Sequence, residues 1–180
     1  MSAYRIFVGA FPTGEIAERI QRWREPHDPI TARITAPHVT LAGTYWRHGS
    51  ATPENEAAAT ESLLAAQPQL KPFELVLGGV ESFLPEAAVI YLRVTPTAGL
   101  SAARRVLLEV LGQDKHRNFV PHLTLVMRLP QAKTEQLWRA WQQTAWHTEQ
   151  WAMPVQSLWL MQRGEADTAW RYIQEIKLLG

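Results

Sequence analysis

The sequence predicts an α+β fold built as two similar lobes, and three observations carry that expectation. Strand-like and helix-like segments are mixed along the chain, not strictly alternated as in a doubly wound parallel sheet. A five-residue string nearly repeats, as Pro37-His38-Val39-Thr40-Leu41 and Pro121-His122-Leu123-Thr124-Leu125, with its histidines 84 residues apart. Each copy follows a strand–helix passage and precedes a further helix. Neither GxGxxG nor GxxxxGKS/T occurs, so the glycine-rich phosphate loops of common nucleotide-binding α/β folds are missing.

Tyr4 to Phe11 is apolar and β-prone and reads as the first strand, ended by Pro12-Thr13-Gly14. From Glu15 to Trp23 a helix is expected, with Ile16, Ile20 and Trp23 on one side and Glu18, Arg19 and Arg22 on the other. Arg24 to Pro29 is polar and leads to Thr31–Ile34, which reads as a short strand; His38 to Trp46 reads as another. Thr52-Pro53-Glu54 has the residue types of a helix start, and an Ala-rich helix runs from it to about Ala66. Phe73 to Val80 and Ala87 to Thr95 read as strands, and Leu100 to Leu111 as a helix closed by Gly112. Val120 to Leu129 is a strand and Ala132 to Trp146 a helix. Val155 to Gln162 and Ala169 to Leu179 form a final strand pair around a turn at Arg163-Gly164-Glu165.

Composition narrows the class. Residues 1–180 suffice for one domain made of two intertwined lobes. Apolar residues make up 46% and charged residues 19%, an ordinary globular balance. The net charge of +1 is too small for a protein that coats long nucleic acid, yet suits a small anionic substrate or an RNA end in a locally basic cleft. There is no cysteine, which removes disulfides and thiolate metal sites. Met1 to Phe11 lacks the pattern of a signal peptide, and no apolar run approaches the roughly 20 residues that span a bilayer, so the expected compartment is the cytoplasm.

Side chains alternate along a strand, so each histidine shares a face with the threonine two residues on. In the first copy that face carries His38, Thr40, Ala42, Thr44 and Trp46, against Val39, Leu41, Gly43 and Tyr45 behind. In the second it carries His122, Thr124, Val126 and Arg128, against Leu123, Leu125, Met127 and Leu129. Each strand thus has an apolar back and a polar front, and one cleft lined by both fronts explains both. Two imidazoles can supply a general acid and a general base, and two hydroxyls can hold phosphate oxygens. That set points to phosphodiester chemistry without a metal. Neither motif strand carries an Asp or Glu that could complete a metal site with its histidine. Arg128 and Trp46 are candidate substrate contacts, for phosphate and for a base respectively. Lys115-His116-Arg117 could add a basic lip.

These residues resemble the paired H-x-T-x signature of the 2H phosphoesterase superfamily, in particular its branch of 2′-5′ RNA ligases and RNA 2′,3′-cyclic phosphodiesterases. The signature is matched by His38-Val39-Thr40-Leu41 and His122-Leu123-Thr124-Leu125. Arg5-Ile6-Phe7-Val8, the approach Arg117 to His122, Leu158-Trp159-Leu160 and Tyr172-Ile173-Gln174 are similar to the family's flanking segments. The resemblance implies a LigT-like fold: two pseudo-symmetric lobes of antiparallel sheet, helices outside, a cleft between. It also implies His38 as proton donor, His122 as proton acceptor, Thr40 and Thr124 on the phosphate, no metal or cofactor, and an RNA end or small nucleotide as substrate of a monomer. Ligase-branch members commonly carry a basic residue five positions past the second histidine; here that residue is Met127, and Arg128 follows. A nucleotide-binding module without turnover, and cyclic phosphodiesterases for ADP-ribose cyclic phosphate or 2′-5′ oligoadenylate, fit the same residues.

Overall fold

The structure, a computed structural model, describes residues 2–116 and 118–179. Arg117, part of the proposed basic lip and of the approach to the second motif, lies outside the described residues. The elements run β1 (Ala3–Ala10), α1 (Gly14–Arg24), α2 (Pro29–Ile34), β2 (Val39–His48), α3 (Ala57–Ala66), β3 (Phe73–Ser82), β4 (Ile90–Thr95), α4 (Ala98–Leu111), β5 (His122–Val126), α5 (Gln131–Trp141), α6 (Ala145–Thr148), β6 (Trp151–Val155), β7 (Ser157–Gly164) and β8 (Arg171–Lys177). The strands form one curled antiparallel sheet in the order β6-β3-β4-β5-β2-β1-β7-β8, which agrees with the expected α+β class.

The sheet has two halves that meet where the motif strands touch. β1, α1–α2 and β2 form one strand–helix–strand unit, with β2 returning antiparallel beside β1. β4, α4 and β5 repeat it. The halves join at one residue pair, Val39 of β2 opposite Leu123 of β5. Each of these two lies between the histidine and the threonine of its own motif. Antiparallel register about that pair sets His38 across from Thr124 and Thr40 across from His122, all four on one face. Val39 and Leu123 point the other way and are fully buried. They join Ile6, Val8, Leu41, Leu75, Leu92, Leu107, Leu125 and Leu158 in one continuous core. Removing a side chain of this kind costs roughly 2–5 kcal/mol, so the apolar backs hold the reactive fronts in place.

Several local expectations are corrected. Thr31–Ile34 is helix, not strand: Asp28 caps α2 by accepting from the Thr31 N–H at 3.0 Å, and Pro29 occupies its first turn. The capping pair outweighs the β-branched residues that suggest a strand. The helix expected over 132–146 is two pieces, α5 and α6, and α3 is preceded by a 3-10 turn at Pro53–Glu56. β6 has no counterpart in the sequence reading; its Pro154 is tolerated because β6 is an edge strand. β5 stops at Val126, so Met127, expected on the apolar back, is 49% exposed. In β2 the register against β1 skips Leu41 and Thr44, two bulges that break the strict alternation. Ala42 is therefore in the core while Gly43 and Thr44 face the cleft. Among the described residues no helix is long and apolar enough to cross a membrane.

Candidate active site

Both histidines are held by the same local device. His38 Nδ1 lies 2.9 Å from the Ala36 carbonyl, and His122 Nδ1 lies 2.7 Å from the Val120 carbonyl. A carbonyl only accepts, so each Nδ1 carries the hydrogen and donates it. In the neutral ring this leaves Nε2 as the nitrogen with the free lone pair. Aromatic rings pack on both imidazoles. Phe7 and Phe11 stack on His38 with centroids 4.8 and 5.3 Å away. Phe83 and Tyr91 approach His122 at 5.0 and 5.2 Å.

Burial under these rings pushes the His38 imidazole down to about 4, helped by the positive charges of Arg24 and His122 and opposed by the Ala36 carbonyl. Burial also lowers His122, with His116 adding to the effect and the Val120 carbonyl opposing it. Both rings are therefore neutral at pH 7 before an anion arrives.

His38, Thr40, His122 and Thr124 all line one half-enclosed cavity of about 360 Å³. Arg128, freed from the sheet by the early end of β5, lines it too. Trp46 does not; it is 64% exposed, with the Arg5 guanidinium 5.3 Å from its ring centroid. The two bulges offset each other, so Trp46 pairs across from Arg5 on the histidine face and is kept from the histidines by the length of β2. Tyr45 is buried, and its hydroxyl donates to the Gly112 carbonyl at 2.7 Å.

The cavity also takes in Arg5, Arg24, Arg163 and Trp170, which sequence reasoning missed. Arg5 was legible in principle, since it stands two residues before Phe7 on the same face of β1. Arg163 was hidden by the turn expected at 163–165; β7 instead continues through Gly164. Arg24 is buried and donates to the carbonyls of Thr31 and Thr35, bracing the turn that leads to His38. No described Asp or Glu lines the cavity, and the described residues contain no group of three His, Cys, Asp or Glu placed to hold a metal ion.

A second arm of about 470 Å³ continues past His122, sharing Thr40, Gly43, His116 and Met127 with the first. Phe83, Val89, Phe119 and Val120 make its walls largely apolar. Its floor is braced by a buried ion pair, Arg104 with Asp114 at 2.8 Å, and Asp114 also accepts from the Gly43 and His116 N–H groups. The arrangement offers two imidazoles, two hydroxyls and several guanidinium groups to one anion, with a largely apolar arm beside it.

Comparison with known proteins agrees with this geometry. Residues 12–167 match the model of the 2′-5′ RNA ligase superfamily. A provisionally named phosphoesterase of Bacillus cytotoxicus is 31% identical over 124 residues, covering 68% of this chain and 69% of that one. A similarly named protein of Bacillus cereus is 30% identical over the same shares. Among solved structures, apo LigT of Escherichia coli superposes with a TM-score of 0.65 and 25% identity over the whole of both chains. The LigT complex with 3′-AMP gives 0.62 and 26% over 98% of this chain and 99% of that one. Paired motif strands, whole-chain superposition and a family match across most of the sequence lead to one conclusion: the chain belongs to the 2′-5′ RNA ligase superfamily of 2H phosphoesterases.

Proposed function

We propose that the protein is a metal-independent phosphodiesterase that opens 2′,3′-cyclic phosphate ends of RNA or nucleotides to 2′-phosphomonoesters. The observation that carries this reading is the convergence of two identically anchored imidazoles and two threonine hydroxyls on one arginine-lined, carboxylate-free cavity. His122, neutral, takes a proton on Nε2 from the attacking water. The water oxygen bonds to phosphorus, the bond to O3′ breaks, and His38, protonated on Nε2, gives that oxygen its proton. Thr40 and Thr124 donate to the nonbridging oxygens as charge builds on them. Since burial keeps His38 neutral in the free protein, its proton arrives with the substrate, whose negative charge offsets the burial. Run with a 5′-hydroxyl as the entering or leaving group, the same steps make or cut a 2′-5′ linkage.

The apolar arm suits the nucleobase. Structures of the E. coli LigT relative with ATP and with 3′-AMP support an occupant of nucleotide size. The test is turnover in EDTA of a panel: nucleoside 2′,3′-cyclic phosphates, RNA with a cyclic end, ADP-ribose cyclic phosphate and 2′-5′ oligoadenylate, with the product isomer identified. A 2′-phosphate product that forms in EDTA is expected. Tight binding of nucleoside monophosphates with no turnover of any panel member refutes the reading, as does activity that EDTA abolishes.

A further inference from the structure

We infer that Arg5, Arg128 and Arg163 form a second anion subsite beside the histidine pair, and that the substrate carries a further phosphate bound there. The inference rests on the proposed placement of a phosphodiester between His38 and His122. Arg5 of β1 and Arg163 of β7 are direct cross-strand partners. Like charges in that relation destabilise a sheet. Burial, then the charge of Arg163, then that of Arg128, makes the Arg5 guanidinium easier to deprotonate than usual. Arg5 therefore senses both other groups, and all three line one cavity.

Nothing described neutralises them. No ion pair among the described residues includes Arg5, Arg128 or Arg163. By contrast, Arg104 and Arg47 each meet a buried acid, Asp114 and Glu56, whereas the buried Arg24 is satisfied by neutral groups. With 17 acidic residues against 18 basic ones, carboxylates are not scarce, yet none lines this wall. Two of the groups, Arg5 and Arg163, are also held in place. The Arg5 guanidinium sits between Trp46 and Trp170, 5.3 and 5.5 Å from their centroids. Arg163 donates from Nε to the Asp167 carbonyl at 3.2 Å, which orients its fork. Arg24 adds charge nearby, but both its terminal nitrogens donate to the Thr31 and Thr35 carbonyls and to Gln21 Oε1, so its fork is not offered to the subsite.

A set of guanidinium groups without ion-pair partners beside a phosphodiester site fits a second phosphate of the same substrate, either a terminal 5′-phosphate or the next internucleotide linkage. Three substrates separate these sources: a nucleoside 2′,3′-cyclic phosphate, the same compound with a 5′-phosphate, and a dinucleotide ending in the cyclic phosphate. We expect kcat/KM for at least one of the last two to exceed the first on the order of ten-fold, as one charge-assisted contact provides. Preference for the dinucleotide alone identifies the internucleotide phosphate; preference that includes the 5′-phosphorylated compound identifies a terminal one. The preference should shrink toward parity in Arg163→Gln and in Arg128→Gln, and persist in Arg105→Gln, whose side chain is exposed on α4. Equal kcat/KM of the wild type on all three, or a preference that survives Arg163→Gln and Arg128→Gln together, overturns the inference. Calorimetric binding of a nucleoside 3′,5′-bisphosphate and of a dinucleotide 3′-phosphate, each against the nucleoside 3′-monophosphate, needs no turnover. Tighter binding of either supports the subsite even if no cyclic phosphate is hydrolysed, and equal affinities of all three refute it.

Discussion

Asp114→Ala removes the carboxylate that neutralises a buried arginine, and its cost can be worked from the contacts. The side chains of Arg104 and Asp114 are 10% and 2% exposed. Asp114 accepts from both terminal nitrogens of Arg104, at 2.8 and 3.1 Å, and from the backbone N–H groups of Gly43 at 3.2 Å and His116 at 2.9 Å. In its absence the guanidinium keeps the Leu41 and His116 carbonyls and the face of Phe119, 3.9 Å from the ring centroid. Breaking one partner out of a buried pair costs roughly 3–5 kcal/mol. A loss of about 4 kcal/mol lowers the melting temperature of a chain this size by roughly 8–16 °C. Urea denaturation followed by tryptophan fluorescence reads it as a lower midpoint at unchanged slope. Replacing both partners, Arg104→Met with Asp114→Leu, should restore most of the loss, since no charge is then buried alone. Burial by itself would raise the Asp114 carboxyl, but the Arg104 fork and the two backbone donors hold it below the usual range. The stabilisation is thus complete above the ordinary aspartate range and fades as pH falls through the lower folded value, so the gap between wild type and Asp114→Ala should narrow in acid. Because Asp114 anchors Gly43 beside Thr40, kcat/KM should fall with stability. A variant within about 1 kcal/mol of wild type, or a double replacement no better than Asp114→Ala, refutes this account of the brace.

His38→Ala and His122→Ala should each lower kcat on the order of 10²–10⁴-fold with far-UV circular dichroism unchanged; turnover by either variant equal to wild type eliminates the acid–base pair. Binding of a nucleoside 3′-phosphate at pH 7 should take up protons, read by calorimetry in two buffers of different ionisation enthalpy, because His38 is neutral beforehand; zero uptake contradicts His38 as the donor. The same lowered imidazole stays neutral in the folded chain where the unfolded chain protonates. Wild-type stability should therefore drop from pH 6.5 toward about 4, more steeply than in His38→Asn. Gly43→Ala should destabilise by about 2 kcal/mol or more, seen in thermal melts, since φ there is +128° and a Cβ would lie 2.7 Å from Phe7 Cβ.

The sequence alone carries the paired histidine–threonine set and its packing. A period of two in each motif segment is a local property, so it tells which face bears histidine and threonine and which faces the core. The duplication of that pattern is enough to expect paired units around a cleft. The strand–helix order is legible for the same reason, except where a local signal competes. Thr31–Ile34 looks like a strand until Asp28 and Pro29 are read as a cap, and Pro154 hides β6 until β6 is known to be an edge. Other features depend on contacts between distant segments. The single pair Val39–Leu123, which brings the two motifs together, is set by the register of β2 on β5. Bulges against β1 take Ala42 into the core and bring Gly43 and Thr44 to the cleft, and the end of β5 at Val126 sends Met127 and Arg128 into it. Arg5 and Arg163 lie 158 residues apart and become neighbours only when β1 pairs with β7. Side-chain periodicity is written residue by residue, whereas register and charge proximity exist only between strands, and so the paired histidine–threonine faces were visible in the chain while the cavity around them was decided by the sheet.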